Sequence, residues 1–135
     1  VGSEMCIRDR AWRFAQRYKN QYAPGFMAGW DIGRAAMLTR WGCYLGWITE
    51  SEAVGILWDL SQKVVEELHS WREFAQSYLF GGLMWKLLCG DSSAGSYLGY
   101  IADAATDLLA GKEEQGNGQW RDCPWPAQRK IGFTV

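Results

Sequence analysis

Apolar and polar residues recur along this chain with a helical period, and no strand-type alternation of useful length or internal repeat interrupts it. In the segment from 26 to about 45, Met27, Arg34, Leu38, Trp41 and Leu45 share one face at 3.6-residue spacing, with Asp31 at its edge. Gly46 then ends the helix as an αL cap. "ITESEA" holds a capping box. The Thr49 hydroxyl answers the N–H three residues on, and the Glu52 carboxylate answers the cap N–H. Behind it Ala53, Ile56, Leu57, Leu60, Val64 and Leu68 form an apolar face, opposite a solvated one with Asp59, Lys63 and Glu66. "SWREF" repeats the device with Ser70 and Glu73. The helix it starts runs to about Cys89, with Trp71, Phe74, Tyr78 and Trp85 on one side and Leu79, Leu83 and Leu87 on another. Being apolar on most sides, it is the expected central helix. Gly81 and Gly82 each cost such a helix on the order of 1 kcal/mol, so they mark the close approach of another helix or a bulky Trp.

The two ends are less regular. "AWRFAQRYKN" at 11–20 reads as helical, and "APG" at 23–25 breaks it. "GDSSAGS" reads as a loop. Tyr97, Ile101, Ala104, Ala105 and Leu108 then define a helix closed by Gly111. "GKEEQGNG" is a linker or exposed loop. "QWRDCPWPAQRKIGFTV" carries Pro124 and Pro126, which predict an extended segment packed by Trp120 and Trp125. The expectation is an all-α, compact bundle of about five helices, with an aromatic-rich core and an extended Pro/Trp C-terminal tail.

"VGSEMCIRDR" at the start stands apart. Back-translated with suitable codons, it matches in frame the transposon-end adapter of sequencing libraries. Residues 1–10 are therefore read as an artefact. The single domain is expected over 11–135, truncated at its N-terminus, from a bacterial draft or environmental source.

Composition narrows the function classes. At 135 residues the chain can bury a core without disulfide staples. Nine Trp, six Tyr and five Phe make aromatics its main building material. The net charge is −1, with Lys and Arg scattered among acids, so no basic stripe for nucleic acid is expected. No apolar run reaches about 18 residues and no signal-peptide pattern is present, which points to a cytoplasmic protein without a membrane span. Cys6, Cys43, Cys89 and Cys123 are widely spaced. A zinc set of Cys43, His69, Cys89 and Cys123 would lack the paired spacing of such sites. Free thiols, no metal and no cofactor are expected instead.

Candidate chemistry centres on "GWDIGRAAMLTRWG". Asp31 and Arg34 are i and i+3 on a helix, where they can pair, and buried charge is costly unless paired. The pair reads either as a polar site against an aromatic wall, with Tyr78 and Glu73 or His69 assisting, or as a structural ion pair that fixes helix register. Arg40 is read as pointing the other way, into solvent. His69, the one histidine, sits where a helix dipole favours a positive imidazole, and little around it resembles a triad. No nucleophile elbow, Walker loop, dinucleotide fingerprint or H-E-x-x-H occurs. The Trp and Tyr set reads as core before it reads as a cage for a cation or sugar.

"GWDIGRAAMLTRWG", "GWITESEA", "SWREFAQSYLFGGLMW" and "CPW", in this order and spacing, resemble the bacterial family known as domain of unknown function 1266. That family carries a W-D-x-x-R core, an R-W segment, a capped turn into a helix, an S-W-x-x-[FY]-x-x-x-Y-x-x-G motif and an S-P-W-like close. Cys123 stands where the family tends to have Ser, and Pro126 follows Trp125. The resemblance marks Trp30, Asp31, Arg34, Arg40, Trp41, Gly46, Glu52, Ser70, Trp71, Tyr78 and Gly81 as signature positions. It implies no established activity, and it suggests members beside toxin and secretion loci. The leading expectation is thus a non-enzymatic interaction domain, immunity-like or adaptor, with a protein partner. The alternative is a small-molecule-binding or hydrolytic domain built on Asp31, Arg34 and Tyr78.

Overall fold

Local hydrogen bonding sets where the helices begin and end. The computed structural model describes residues 2–18, 20–21, 24–111 and 118–126. Its order is α1 (Gly2–Tyr18), a 3₁₀ turn (Pro24–Met27), α2 (Ala28–Tyr44), α3 (Glu50–Glu67), α4 (Trp71–Leu88), α5 (Ala94–Ala110) and the short α6 (Gln119–Asp122). Among the described residues there is no strand. Helix α3 starts at the expected capping box: the Glu52 N–H donates to Thr49 Oγ1 at 3.1 Å and the Thr49 N–H to Glu52 Oε2 at 2.7 Å. At α4 the Glu73 N–H donates to Ser70 Oγ at 3.0 Å. The Glu73 carboxylate reaches past the cap and takes the His69 N–H at 2.8 Å. Two helix ends share one device. Gly46 (φ 75°) and Gly90 (φ 68°) sit in the left-handed region that glycine tolerates. The Trp47 and Gly46 N–H groups return to the Gly42 and Cys43 carbonyls, and those of Asp91 and Gly90 to Lys86 and Leu87, which is the Schellman pattern.

Helix α4 is central, as its all-round apolar character predicts: α1, α2, α5 and the 3₁₀ turn all pack on it. Helix α3 packs on α2, and α6 on α5. The α2–α4 approach is close because both helices place glycines there. Gly81 lies against the Trp30 side chain, and Gly82 is wedged between Trp30 and Tyr97. The Tyr78 ring lies across Gly33, and Gly29 lies on Ser77. Ser77 is fully buried and serves two backbone groups: its Oγ accepts the Gly29 N–H at 2.9 Å and its hydroxyl donates to the Phe26 carbonyl.

The structure corrects the apolar face expected for α2. Leu38, Trp41 and Leu45 are 53%, 56% and 55% exposed. The buried residues of this helix are Gly29 and Thr39, on the face that also carries Gly33 and Ala36. A helix flanked by α3 and α4 can bring its backbone near both only along a stripe of small side chains, so the large ones turn outward. Among the described residues the buried apolar set is small: Ala11, Ala53, Ala75, Ala94 and Ala105, with Phe26 and Leu68. The aromatic rings form half-buried clusters between helices. Phe14, Phe80, Tyr18 and Phe26 join α1, α4 and the 3₁₀ turn at ring separations of 4.8–5.8 Å.

Two boundaries also differ from expectation. Helix α5 starts at Ala94 rather than at Tyr97. Asp91 accepts from the Ser93 N–H at 2.8 Å, the Ser93 hydroxyl at 2.6 Å and Lys86 Nζ at 2.9 Å, so the loop closes sooner. Those Ser93 and Lys86 bonds hold the Asp91 carboxyl well below the usual range. Residues 119–122 are helical rather than extended, tied by an Arg121 guanidinium bond to the Ala110 carbonyl at 2.9 Å that occupies a free α5 C-terminal group. Most of the linker "GKEEQGNG" and the tail after Pro126 lie outside the described residues.

Candidate functional site

Helix α2 presents Trp30 to the glycines of α4, and this contact organises the signature residues. Trp30 meets the Tyr78, Trp85 and Tyr97 rings at 5.0, 6.4 and 6.4 Å. The Arg34 guanidinium lies over Trp30 at 5.3 Å and over Trp85 at 5.9 Å from the ring centroids. Asp31 is exposed, and among the described residues no ion pair joins it to Arg34. Two indole faces hold the guanidinium instead of the carboxylate one turn back. The Tyr97 Oη is buried beside this stack and lacks a hydrogen-bond partner among the described residues. Burial pushes the Tyr97 phenol up to about 12; Tyr78 acts in the same direction and the Arg34 charge opposes it. Lys86 Nζ, 4.9 Å from the Tyr97 centroid, covers another part of that ring.

Glu73 is occupied by the start of α4. Its Oε2 takes the His69 N–H and lies 3.2 Å from His69 Nδ1. His69 stands between α3 and α4 with its side chain 68% exposed. Neither residue lines the cavities described below.

Tyr78 belongs to two environments. One edge meets Trp30, while the ring also lines an apolar cavity of about 480 Å³ between α2, α4, α5 and α6. Phe74, Trp71, Trp120, Ile101 and Leu108 form much of the wall, and Arg40 joins them. A second cavity of about 250 Å³ lies on the far side of Trp71 and Phe74, against α3 and the segment with Trp125. Trp71 separates the two. It stacks on Trp120 at 5.0 Å with 10° between planes, meets Trp125 edge-on at 4.9 Å, and donates from Nε1 to the Cys123 carbonyl at 2.6 Å. "SW" and "CPW", over fifty residues apart in sequence, thus form one aromatic wall.

Arg40 faces solvent, as expected, and its place beside the larger cavity is what the sequence reading did not foretell. The available signal was the stripe Gly29, Gly33, Ala36, Arg40, spaced 4, 3 and 4 along the helix. Asp31 and Arg34 line neither cavity.

At the other end of α2 the surface is aromatic. Trp41, Tyr44, Trp47 and Trp58 are 56%, 90%, 79% and 61% exposed, and a shallow groove runs from Ile48 past Val54 and Gly55 to Trp58.

The family comparison adds to this geometry. The sequence matches "Protein of unknown function (DUF1266)" over residues 2–125. The chain belongs to this family. No curated protein and no solved structure matches it. The DUF1266 match takes in both aromatic assemblies, the Trp30–Arg34–Trp85 stack and the Trp71–Trp120–Trp125 wall. Among the described residues of this DUF1266 chain, no helix is long and apolar enough to cross a membrane. Nor do three His, Cys, Asp or Glu side chains gather among them as metal ligands.

Proposed function

We propose that this DUF1266 chain is a protein-interaction module of the immunity or adaptor type, and not an enzyme. The supporting observation is the aromatic corner between α2 and α3, where Trp41, Tyr44, Trp47 and Trp58 are all more than half exposed. Exposed aromatic side chains are enriched at interaction sites, and Trp and Tyr dominate the energetics of such contacts. An aromatic side chain buries roughly 150–250 Å² when covered, so these four rings supply a large part of the ~800 Å² that one side of a standard interface needs. The setting we propose is the reducing bacterial cytoplasm, where thiols such as Cys89 and Cys123 stay free.

The test is a pull-down from the native host with wild type and the double variant Trp47→Ser, Trp58→Ser. Wild type is expected to retain a stoichiometric protein that the folded double variant loses. Recovery of no stable partner, or equal recovery by both forms, would overturn the proposal.

A further inference from the structure

The cavity between α2, α4, α5 and α6 has the volume of a small-molecule site: about 480 Å³, within the roughly 300–1,000 Å³ that such sites occupy. Its walls are apolar and aromatic, with Trp71, Phe74 and Trp120 supplying ring surface and Ile101 and Leu108 aliphatic surface. Two lining residues carry polar side-chain ends, Tyr78 and Arg40. Among the described residues, Arg40 is the one charged residue in the lining, and it has no ion pair or hydrogen bond with any of them. Because Arg40 is also exposed, an anion reaches it from solvent without opening the bundle.

We infer that this cavity binds a small amphipathic monocarboxylate with a flat apolar body. A guanidinium presents the planar fork that a carboxylate matches with two parallel bonds. One cation balances one negative charge. A second negative charge carried on the apolar body, away from Arg40, would lie against walls that cannot solvate it. The ring surface of Trp71, Phe74 and Trp120 favours a flat body through offset or edge-on contact. This inference stands apart from the aromatic corner and from the protein-partner reading.

The experiment is calorimetric titration with naphthoate and with its neutral isostere naphthamide. Wild type is expected to bind naphthoate at least about tenfold more tightly than naphthamide. In Arg40→Gln the acid should fall to the level of the amide, with amide affinity unchanged. Ala104→Phe, which projects into the cavity from an exposed position on α5, should weaken both ligands. Melting curves establish that each variant stays folded. The inference is overturned by absence of saturable naphthoate binding, by equal affinity for acid and amide in wild type, or by an acid preference that survives Arg40→Gln. Because the variants are separate from Trp47 and Trp58, failure here leaves the interaction proposal standing, and the reverse holds too.

Discussion

The two ends of helix α2 solve opposite problems with opposite residues. At its N-terminal end, Gly29 and Gly33 let α4 come close, and Trp30 fits over Gly81 and Gly82. At its C-terminal end Trp41, Tyr44 and Leu45 project outward, with Trp47 in the turn behind them. The first region is tight because its side chains are small, and one large ring fills the gap that the glycines leave. The second is loose because its side chains are too large to face two neighbouring helices at once. Bulk by itself therefore does not say which side of a helix is buried; the distance between backbones does.

That contrast can be broken first at the tight end. Gly81→Ala places a methyl against the Trp30 side chain, so overpacking should cost up to about 3 kcal/mol, beyond the ~1 kcal/mol that helix propensity returns. Denaturant unfolding measures it, and an unchanged or raised midpoint would show that Trp30 moves aside freely. Ser77→Ala comes next. It strips the Gly29 N–H and the Phe26 carbonyl of their partner in a fully buried place, an expected loss of about 2 kcal/mol. The same unfolding curves would reveal a near-neutral effect if water enters.

Alkali should probe the same region more gently. The folded Tyr97 phenol sits at about 12, above its ordinary value of 10.0. Its contribution is fully present below pH 10 and is lost as pH rises from there through 12, because only the unfolded chain ionises cheaply. Phenolate absorbance followed with pH should show one tyrosine titrating late in wild type and missing in Tyr97→Phe. At the loose end, Trp47→Ser should change stability by no more than about 0.5 kcal/mol, since the ring is 79% exposed. A larger loss would mean that Trp47 supports the α2–α3 turn, and the comparison between the ends would weaken.

The legible parts of the sequence were those decided within a few residues. Thr49, Glu52, Ser70, Gly46 and Glu73 announced helix boundaries, because capping needs a particular side chain at a particular offset. Gly81 and Gly82 announced a close approach, because glycine inside a helix is otherwise unfavourable. The start of α5 was less legible. Asp91 organises it through Ser93 and Lys86 together, and the pattern of apolar residues contains no trace of that cluster. The α6 turn was hidden for a similar reason: its anchor, the Ala110 carbonyl, lies eleven residues from Arg121.

The site divides along the same line. Sequence spacing allowed Asp31 and Arg34 to pair, and it had no means of weighing that against two indole faces brought in by the fold, one of them, Trp85, from another helix. Arg40 is solvated as the spacing implied, but its place beside the larger cavity was not legible, because a helical wheel shows which residues share a face and not which neighbour that face meets. By itself the sequence determined the family, the all-helical class, the helix caps and the glycine contact, since each depends on short-range hydrogen bonds or on the cost of a missing side chain. Tertiary structure alone decided the rotation of α2 about its axis, and with it the exposure of Trp41 and the place of Arg40; it decided separately the meeting of Trp71 with Trp120 and Trp125. That rotation is set by how near α3 and α4 can approach at once, a balance of surfaces hundreds of atoms wide that no local pattern encodes.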